Sequence, residues 1–399
     1  MVDFSFTEEQ DLFRDALKEW LSQNLTLEQV RENDTKNEIP KKFIKGMGEL
    51  GLLLLTIPEE DGGVGADWVT ATIAAEELGY ADISVAIPVF YLVQASWGYV
   101  VNRLAQDPVK DKYIKRATQG DGFVGIGVTE PGGGSDVAGF KTTLEPMENG
   151  WLVNGEKTYI SGTAEASEMD GGYFVTGYND RASGHRGMTA FFLPINREGV
   201  EITKRFDNMG RMAISTGGFK MTDVEIPEEY QLGETNRGFY YTMEGFDAAR
   251  VLVSASCLGA AERALEVGMG YIKEREAFGQ PLSRYQGIQF DLADIVAHHE
   301  AVKSLVYKTA WMMDEKYQHG TFDALEVAKY ISMCKYLAPH HALDTIRRVM
   351  YWLGAYGYTQ ESPLEMGMRG VMSYCIGAEG AANIQKIVIA RETLGKDWM

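Results

Sequence analysis

Three cysteines in 399 residues remove two classes of protein at once. Cys257, Cys334 and Cys375 are odd in number, far apart and set in apolar surroundings. Neither a disulfide framework nor a thiolate metal site is expected, and a reducing, cytoplasmic compartment fits that usage. The six histidines include two adjacent pairs, His298-His299 and His340-His341. Neighbours on a helix point about 100° apart, so neither pair makes a chelating face, and both read as surface or interface residues. Positive charge is short as well: 38 Lys and Arg stand against 57 Asp and Glu, a net charge of −19. That leaves no broad basic footprint for nucleic acid or an anionic membrane. Long apolar runs are missing; Gly51–Ile57 is far too short to cross a bilayer. The N-terminus, Met1 to Gln10, has neither the order of a secretory signal nor the Arg-rich, acid-poor character of a transit peptide.

What is present is an ordinary globular composition, 45% hydrophobic and 24% charged. The length allows about two or three domains. Residues 1–121 read as helical. Thr7-Glu-Glu-Gln10 has the form of a capping box before Leu12, Phe13, Ala16 and Leu17 at helical spacing, and further helices fit Lys41–Leu50, Trp68–Leu78 and Pro108–Thr118. Over 122–236 the chain alternates in short runs: Phe123–Val128, Trp151–Val153, Gly172–Gly177, Met188–Leu193, Val200–Lys204 and Gly217–Val224. Turn chemistry at Asn149-Gly150, Asn154-Gly155 and Thr222-Asp223 predicts a mostly antiparallel β domain. Over 237–399 helical periodicity returns in Gly238–Arg275, Leu282–Tyr317, Ala324–Tyr356 and Asn383–Leu394, which suits a four-helix bundle. The expected class is thus α+β and multidomain.

Glu379 is the most informative single residue. It lies among small neighbours, Gly377-Ala-Glu-Gly-Ala-Ala382, directly before an apolar-periodic helix with Ile384, Ile387 and Val388. A carboxylate so little shielded has a raised pKa and can serve as a base near neutral pH. Taken alone, a capping Glu at a helix start is the plainer reading. Val128-Thr129-Glu130-Pro131-Gly-Gly-Gly134-Ser135-Asp136 offers backbone amides and hydroxyls to a pyrophosphate or a flavin edge, although most Gly-rich loops are only turns. Gly150-Trp-Leu-Val-Asn-Gly155-Glu-Lys157-Thr158 nearly spells a phosphate-binding loop, but Glu156 interrupts it and its context is a hairpin, so it is rejected. Asp247 and Arg250 share one helix face, as a surface ion pair or as an arginine that holds an anionic ligand tail. Arg275, Phe278 and Gln286 surround a helix break, which they would equally serve to cap.

In this order, the chain resembles the acyl-CoA dehydrogenase family over essentially its full length. The resemblance rests on Val128–Asp136, Lys157-Thr-Tyr-Ile-Ser161, Asp247–Arg250, Arg275–Gln286, Gly354-Ala-Tyr-Gly-Tyr358 and Glu379–Arg391. It implies non-covalent FAD between the β domain and the C-terminal helices. Val128, Thr129, Gly134, Ser135 and Tyr159, Ile160 and Ser161 would meet the cofactor, with Gly354. Arg275, Phe278 and Gln286 would reach the FAD of a neighbouring subunit in a homotetramer. Ser135, Asp247, Arg250 and Gly380 would hold the CoA thioester. Glu379 matches the catalytic base, which removes the α-proton while the β-hydrogen leaves as hydride to flavin N5. An electron-transferring flavoprotein would then accept the electrons.

Departures from the family pattern are specific. Ala378 and Ala381 replace an aromatic and a Thr, Tyr159 and Ser161 replace a Trp and a Thr, and Tyr351 and Ala355 replace a Gln and a Gly. Some members carry their base beside the Asp-x-x-Arg pair; Ala249 at that position cannot act. The small residues beside Glu379, with the bulk of Phe90, Tyr91, Trp97, Tyr241 and Phe246, predict a wide, shallow pocket. A short branched or alicyclic acyl-CoA would suit it. A straight short-chain substrate, an oxidase on the same fold, and a catalytically silent binding member are the alternatives.

Overall fold

The architecture, in a computed structural model, covers residues 5–395 and 398. Helices come first, at Glu8–Asn24, Leu27–Lys36, Lys41–Glu49 and Trp68–Ala81. The capping box forms: Gln10 N donates to Thr7 Oγ1 at 3.2 Å and Thr7 N to Gln10 Oε1 at 3.1 Å. Residues 107–118 are helical with one widened turn at Lys110–Ile114. A second helical stretch, 86–104, has no outward sequence signature. Nearly all its side chains are buried, so no polar face sets a period.

The central sheet has β1 (Val124–Gly127), β2 (Thr143–Met147), β3 (Gly150–Ser161), β4 (Gly172–Tyr178), β5 (Met188–Pro194), β6 (Val200–Arg205), β7 (Thr216–Pro227) and β8 (Gln231–Leu232). Their order is β6-β7-β3-β2-β4-β5-β8, with β1 parallel to β4 and most other pairs antiparallel. Two expected turns do not exist. Asn154-Gly155 and Thr222-Asp223 lie inside β3 and β7, opposite each other at a break in register. Asn154 Nδ2 donates to Asp223 Oδ1 at 3.0 Å, and Asp223 N donates back to Asn154 Oδ1 at 2.9 Å. Asn, Gly and Asp tolerate unusual backbone angles, and here that tolerance makes a bulge instead of a reversal.

The C-terminal part holds helices Gly238–Glu274, Gln286–His319, Ala324–Leu353, Leu364–Ile376 and Ala382–Leu394. The first is the spine, packed on both Trp68–Ala81 and Ala324–Leu353. A Cβ on Gly79 would lie 2.1 Å from the Ser256 carbonyl oxygen, and one on Gly259 would lie 1.9 Å from that of Glu76. The two helices therefore touch backbone to backbone, which fixes the N-terminal part on the bundle. The expected Ala324–Tyr356 helix ends at Leu353, because Gly354 turns out of it with φ 60°. The histidine expectation needs correction. His299 is buried, and its Nδ1 lies 3.3 Å from Nε2 of half-buried His341 on the next helix.

Candidate active site

Glu379 stands in the loop between Leu364–Ile376 and Ala382–Leu394, with φ 57°. It caps nothing: Ala381 is the helix N-cap and makes no side-chain bond. Its Oε2 is buried without a hydrogen-bond partner among the described residues. Burial pushes the carboxyl up to about 7, against the opposing pull of Arg250, Lys335 and Arg211. A carboxylate in that range exchanges a proton readily at neutral pH. Its backbone N–H makes no hydrogen bond among the described residues, so one donor stays free beside the carboxyl.

Five basic or polar groups lie around the loop that carries this carboxyl. Arg250 donates from Nε to the Glu379 carbonyl oxygen at 3.0 Å and from Nη1 to Asp247 Oδ1 at 3.2 Å. A Cβ on Gly380 would lie 3.4 Å from Arg250 Nη2 and 2.8 Å from Gln385 Nε2, so glycine is what lets the Gln385 amide close on the loop. Lys335 is buried and donates to the Tyr374 carbonyl oxygen at 2.7 Å, and burial pushes its ammonium down to about 8. Arg211 donates from Nη1 to Ser161 Oγ at 3.2 Å. The hydroxyl of Tyr374 and both amide atoms of Gln385 are buried with no partner among the described residues. Orphaned polar atoms this dense mark a site built for a ligand rather than for packing.

The glycine-rich loop is framed by a buried ion pair. Lys157 on β3 is fully buried and donates to Glu130 Oε1 at 2.9 Å, Val128 O at 3.2 Å and Thr176 O at 3.1 Å. Glu130 also accepts from Lys141 N, Thr142 N and Thr142 Oγ1. Burial would raise the Glu130 carboxyl, but Lys157 and these donors hold it below the usual range. Thr158 N donates to Thr129 O at 2.9 Å, which ties the loop to the strand carrying Tyr159, Ile160 and Ser161. Beyond Glu130 the loop is open: Gly134 and Ser135 are exposed, and nothing lies within 4 Å of a Cβ built on Gly132 or Gly133. Tyr159 is exposed and stacks on Phe206, with centroids 4.6 Å apart.

The remaining expected residues stand elsewhere. Arg275 and Phe278 occupy a short hairpin, Glu276–Ala277 with Gln280–Pro281, and Gln286 opens the following helix. Phe278 is 99% exposed, so its ring packs on nothing among the described residues. Gly354 has open space where a side chain would stand. Of the five pocket aromatics, Trp97 and Phe246 lead toward the base. They meet edge to face at 5.4 Å, and the Arg250 guanidinium lies 5.3 Å over Phe246. Tyr91 donates to Ala71 O at 3.0 Å, Phe90 packs on Phe123, and Tyr241 accepts from Glu234 N. Those three pack between elements.

Sequence reading missed Arg211, Lys335, Tyr374, Gln385 and the role of Lys157. Lys335 carried a signal: it interrupts the apolar row Ile331, Cys334, Ala338 on one helix face. Arg211 carried none, because its position depends on a φ of 50° that no pattern announces.

Family models agree with this layout. The acyl-CoA dehydrogenase N-terminal, middle and C-terminal domains match residues 7–121, 125–224 and 236–394. The chain belongs to the acyl-CoA dehydrogenase family. Glutaryl-CoA dehydrogenase of Desulfococcus multivorans is 30% identical over 99% of this chain and 98% of its own length. The caffeyl-CoA reductase–Etf complex subunit CarC of Acetobacterium woodii is 30% identical over 98% of this chain and all of its own. The solved butyryl-CoA dehydrogenase of Megasphaera elsdenii superposes with a TM-score of 0.90 at 30% identity, covering 99% of this chain and 100% of that one. As an acyl-CoA dehydrogenase the chain is a FAD-dependent oxidoreductase of CH–CH bonds, and its relatives support CoA thioesters as the substrate class. No helix among the described residues is long and apolar enough to cross a membrane.

Proposed function

We propose that this acyl-CoA dehydrogenase desaturates a short branched or alicyclic acyl-CoA, of cyclohexane- or cyclohexene-carboxyl type, with Glu379 as the base. The observation that carries the reading is the unpartnered Glu379 oxygen, its carboxyl near 7, beside a free backbone N–H. Glu379 takes the α-proton, and its N–H polarises the thioester carbonyl, an arrangement most effective as negative charge builds on that oxygen. Arg250 and Asp247 hold the loop in place while Gly380 lets the thioester approach. The hydride-accepting chemistry for the β-hydrogen would be supplied by bound FAD.

The residues present fit that cofactor. Gly132 and Gly133 leave open space where side chains would stand, and the loop is anchored at its base by bonds to Val128 O, Thr129 O and Glu130. Val128, Thr129, Gly134, Ser135 and Tyr159–Ser161 are the cofactor wall of this reading, with Gly354 open at the bundle end. Arg275 and Phe278 at the hairpin and Gln286 at the start of the next helix, all exposed, would complete a neighbour's site in a homotetramer. The division at 121/122 and 236/237 follows the change from helix to sheet and back. Kinship with an Etf-complex subunit supports an electron-transferring flavoprotein as acceptor. The absence of an aromatic at Ala378, with Trp97 and Phe246 packed edge to face beside Arg250, supports the substrate width.

Anaerobic bleaching of bound flavin by cyclohexanoyl, isobutyryl, butyryl and octanoyl thioesters tests the reading. The first two should reduce fastest. Clear preference for octanoyl would overturn the substrate, and rapid reoxidation by oxygen would point to an oxidase. A stable monomer retaining full FAD would overturn the shared-site assembly.

A further inference from the structure

We propose that Arg211 is a positioning residue for the flavin: it commits the Ser161 hydroxyl to donate toward the ring and keeps a positive charge beside it. The inference rests on the reading above, in which FAD lies along Tyr159–Ser161. Arg211 is the only guanidinium found bonded to that stretch among the described residues, through Nη1 to Ser161 Oγ at 3.2 Å. A guanidinium can only donate, and a hydroxyl has one hydrogen to give. With Arg211 filling one Ser161 lone pair, the hydroxyl hydrogen must turn to some other acceptor. The Ser161 carbonyl is already occupied by the Tyr173 hydroxyl at 3.2 Å.

The cation has no direct ion-pair partner, and the Glu379 carboxylate attracts it only at longer range. Among the described residues no carboxylate lies within ion-pair distance of Arg211, whereas Arg250, Arg348 and Arg369 each have one. Burial works against its charge, and the nearby hydroxyl of Tyr374 has no partner. The backbone does not let it swing away. Its φ is 50°, and at Gly210 the chain presses so closely on Arg369 that a Cβ would lie 2.4 Å from the Arg369 carbonyl carbon. A strained, half-buried cation with no direct ion pair, bonded to a hydroxyl of the proposed cofactor wall, is suited to negative charge that arrives during turnover. That charge is the electron pair the thioester C–H bonds deliver to the ring. Arg211 thus raises the affinity of the site for reduced flavin over oxidised flavin.

The test uses the FAD-loaded enzyme, comparing wild type with Arg211→Asn, which tolerates the left-handed backbone, and Arg211→Lys, which keeps the charge. Dye-equilibrated reduction should show Arg211→Asn favouring oxidised flavin by roughly tenfold, about 30 mV for two electrons. Arg211→Lys should recover most of that shift. Sulfite, which adds at flavin N5 and leaves negative charge on the ring, should bind Arg211→Asn about tenfold more weakly. An unchanged potential in FAD-loaded Arg211→Asn overturns the proposal. So does an equal shift in both variants, or loss of FAD from both, since either makes the role one of shape. Slower turnover confined to thioesters bearing an acyl carboxylate, at unchanged potential, would assign Arg211 to the substrate instead. Wild-type protein that binds no FAD would refute the underlying reading.

Discussion

Replacing Lys157 by Met removes a buried cation that no surface effect can mask. The ammonium is fully buried, and its three bonds reach the Glu130 carboxylate and the carbonyls of Val128 and Thr176. Breaking a buried pair from one side strands the other charge, at a cost of about 3–5 kcal/mol. Glu130 keeps three donors, from Lys141 N, Thr142 N and Thr142 Oγ1, which places the expected loss near the lower end, about 3 kcal/mol. The damage is local to the root of the Val128–Asp136 loop, so FAD retention should fall together with stability. Urea unfolding followed by circular dichroism measures the first, and flavin absorbance after gel filtration the second. The double variant Lys157→Met with Glu130→Gln should lose less than the two single losses added, because the stranded charge is gone. A single-variant loss below about 1 kcal/mol, or strict additivity in the double, would refute this account of the loop.

Three further outcomes are expected. Glu379→Gln keeps the side-chain volume and should slow flavin reduction by about 10²–10⁴-fold or more while acyl-CoA still binds; near wild-type reduction would show that another group is the base. Because the Glu379 carboxyl sits near 7 and acts deprotonated, the rate of flavin reduction should rise with pH through about 7 and then level off, and a flat profile would remove it from the proton step. Burial, with the charges of His299 and His298, holds His341 down to about 4 from its ordinary 6.5. Its stabilising effect is therefore present above 6.5 and lost as pH falls through about 4. His341→Gln should flatten acid destabilisation in that window, and parallel unfolding curves would argue against it.

Much of this molecule is written in local pattern. The Thr7 box, the change at Gly122, the return of helix at Gly238 and the loop carboxylate at Glu379 all follow from spacing and turn chemistry. What escaped reading depends on contacts across the chain. Asn154 and Asp223 look like turn residues and serve as bulge partners 69 positions apart. Residues 86–104 are buried all round and so lose their period. Ile384, Ile387 and Val388 predict a helix anchored by one apolar face, yet only Gln385 of that helix is buried. Ile387 remains 51% exposed, so the described fold leaves that face largely uncovered.

The backbone angles carry a consequence for how this protein can change. Ten described non-glycine residues have positive φ. Asn37, Asp170, Asp223 and Asn236 are of the types that accept it readily, and Leu54 and Val85 are held by the core around them. The other four are Tyr159, Arg211, Phe278 and Glu379, all assigned here to the cofactor or the chemistry. Each such angle costs on the order of 1 kcal/mol, so function here is bought with stability. Selection for heat resistance alone would drift these four toward asparagine or glycine, and each step would yield a sturdier protein and a poorer catalyst. Thermostability and turnover should therefore trade off at these positions first.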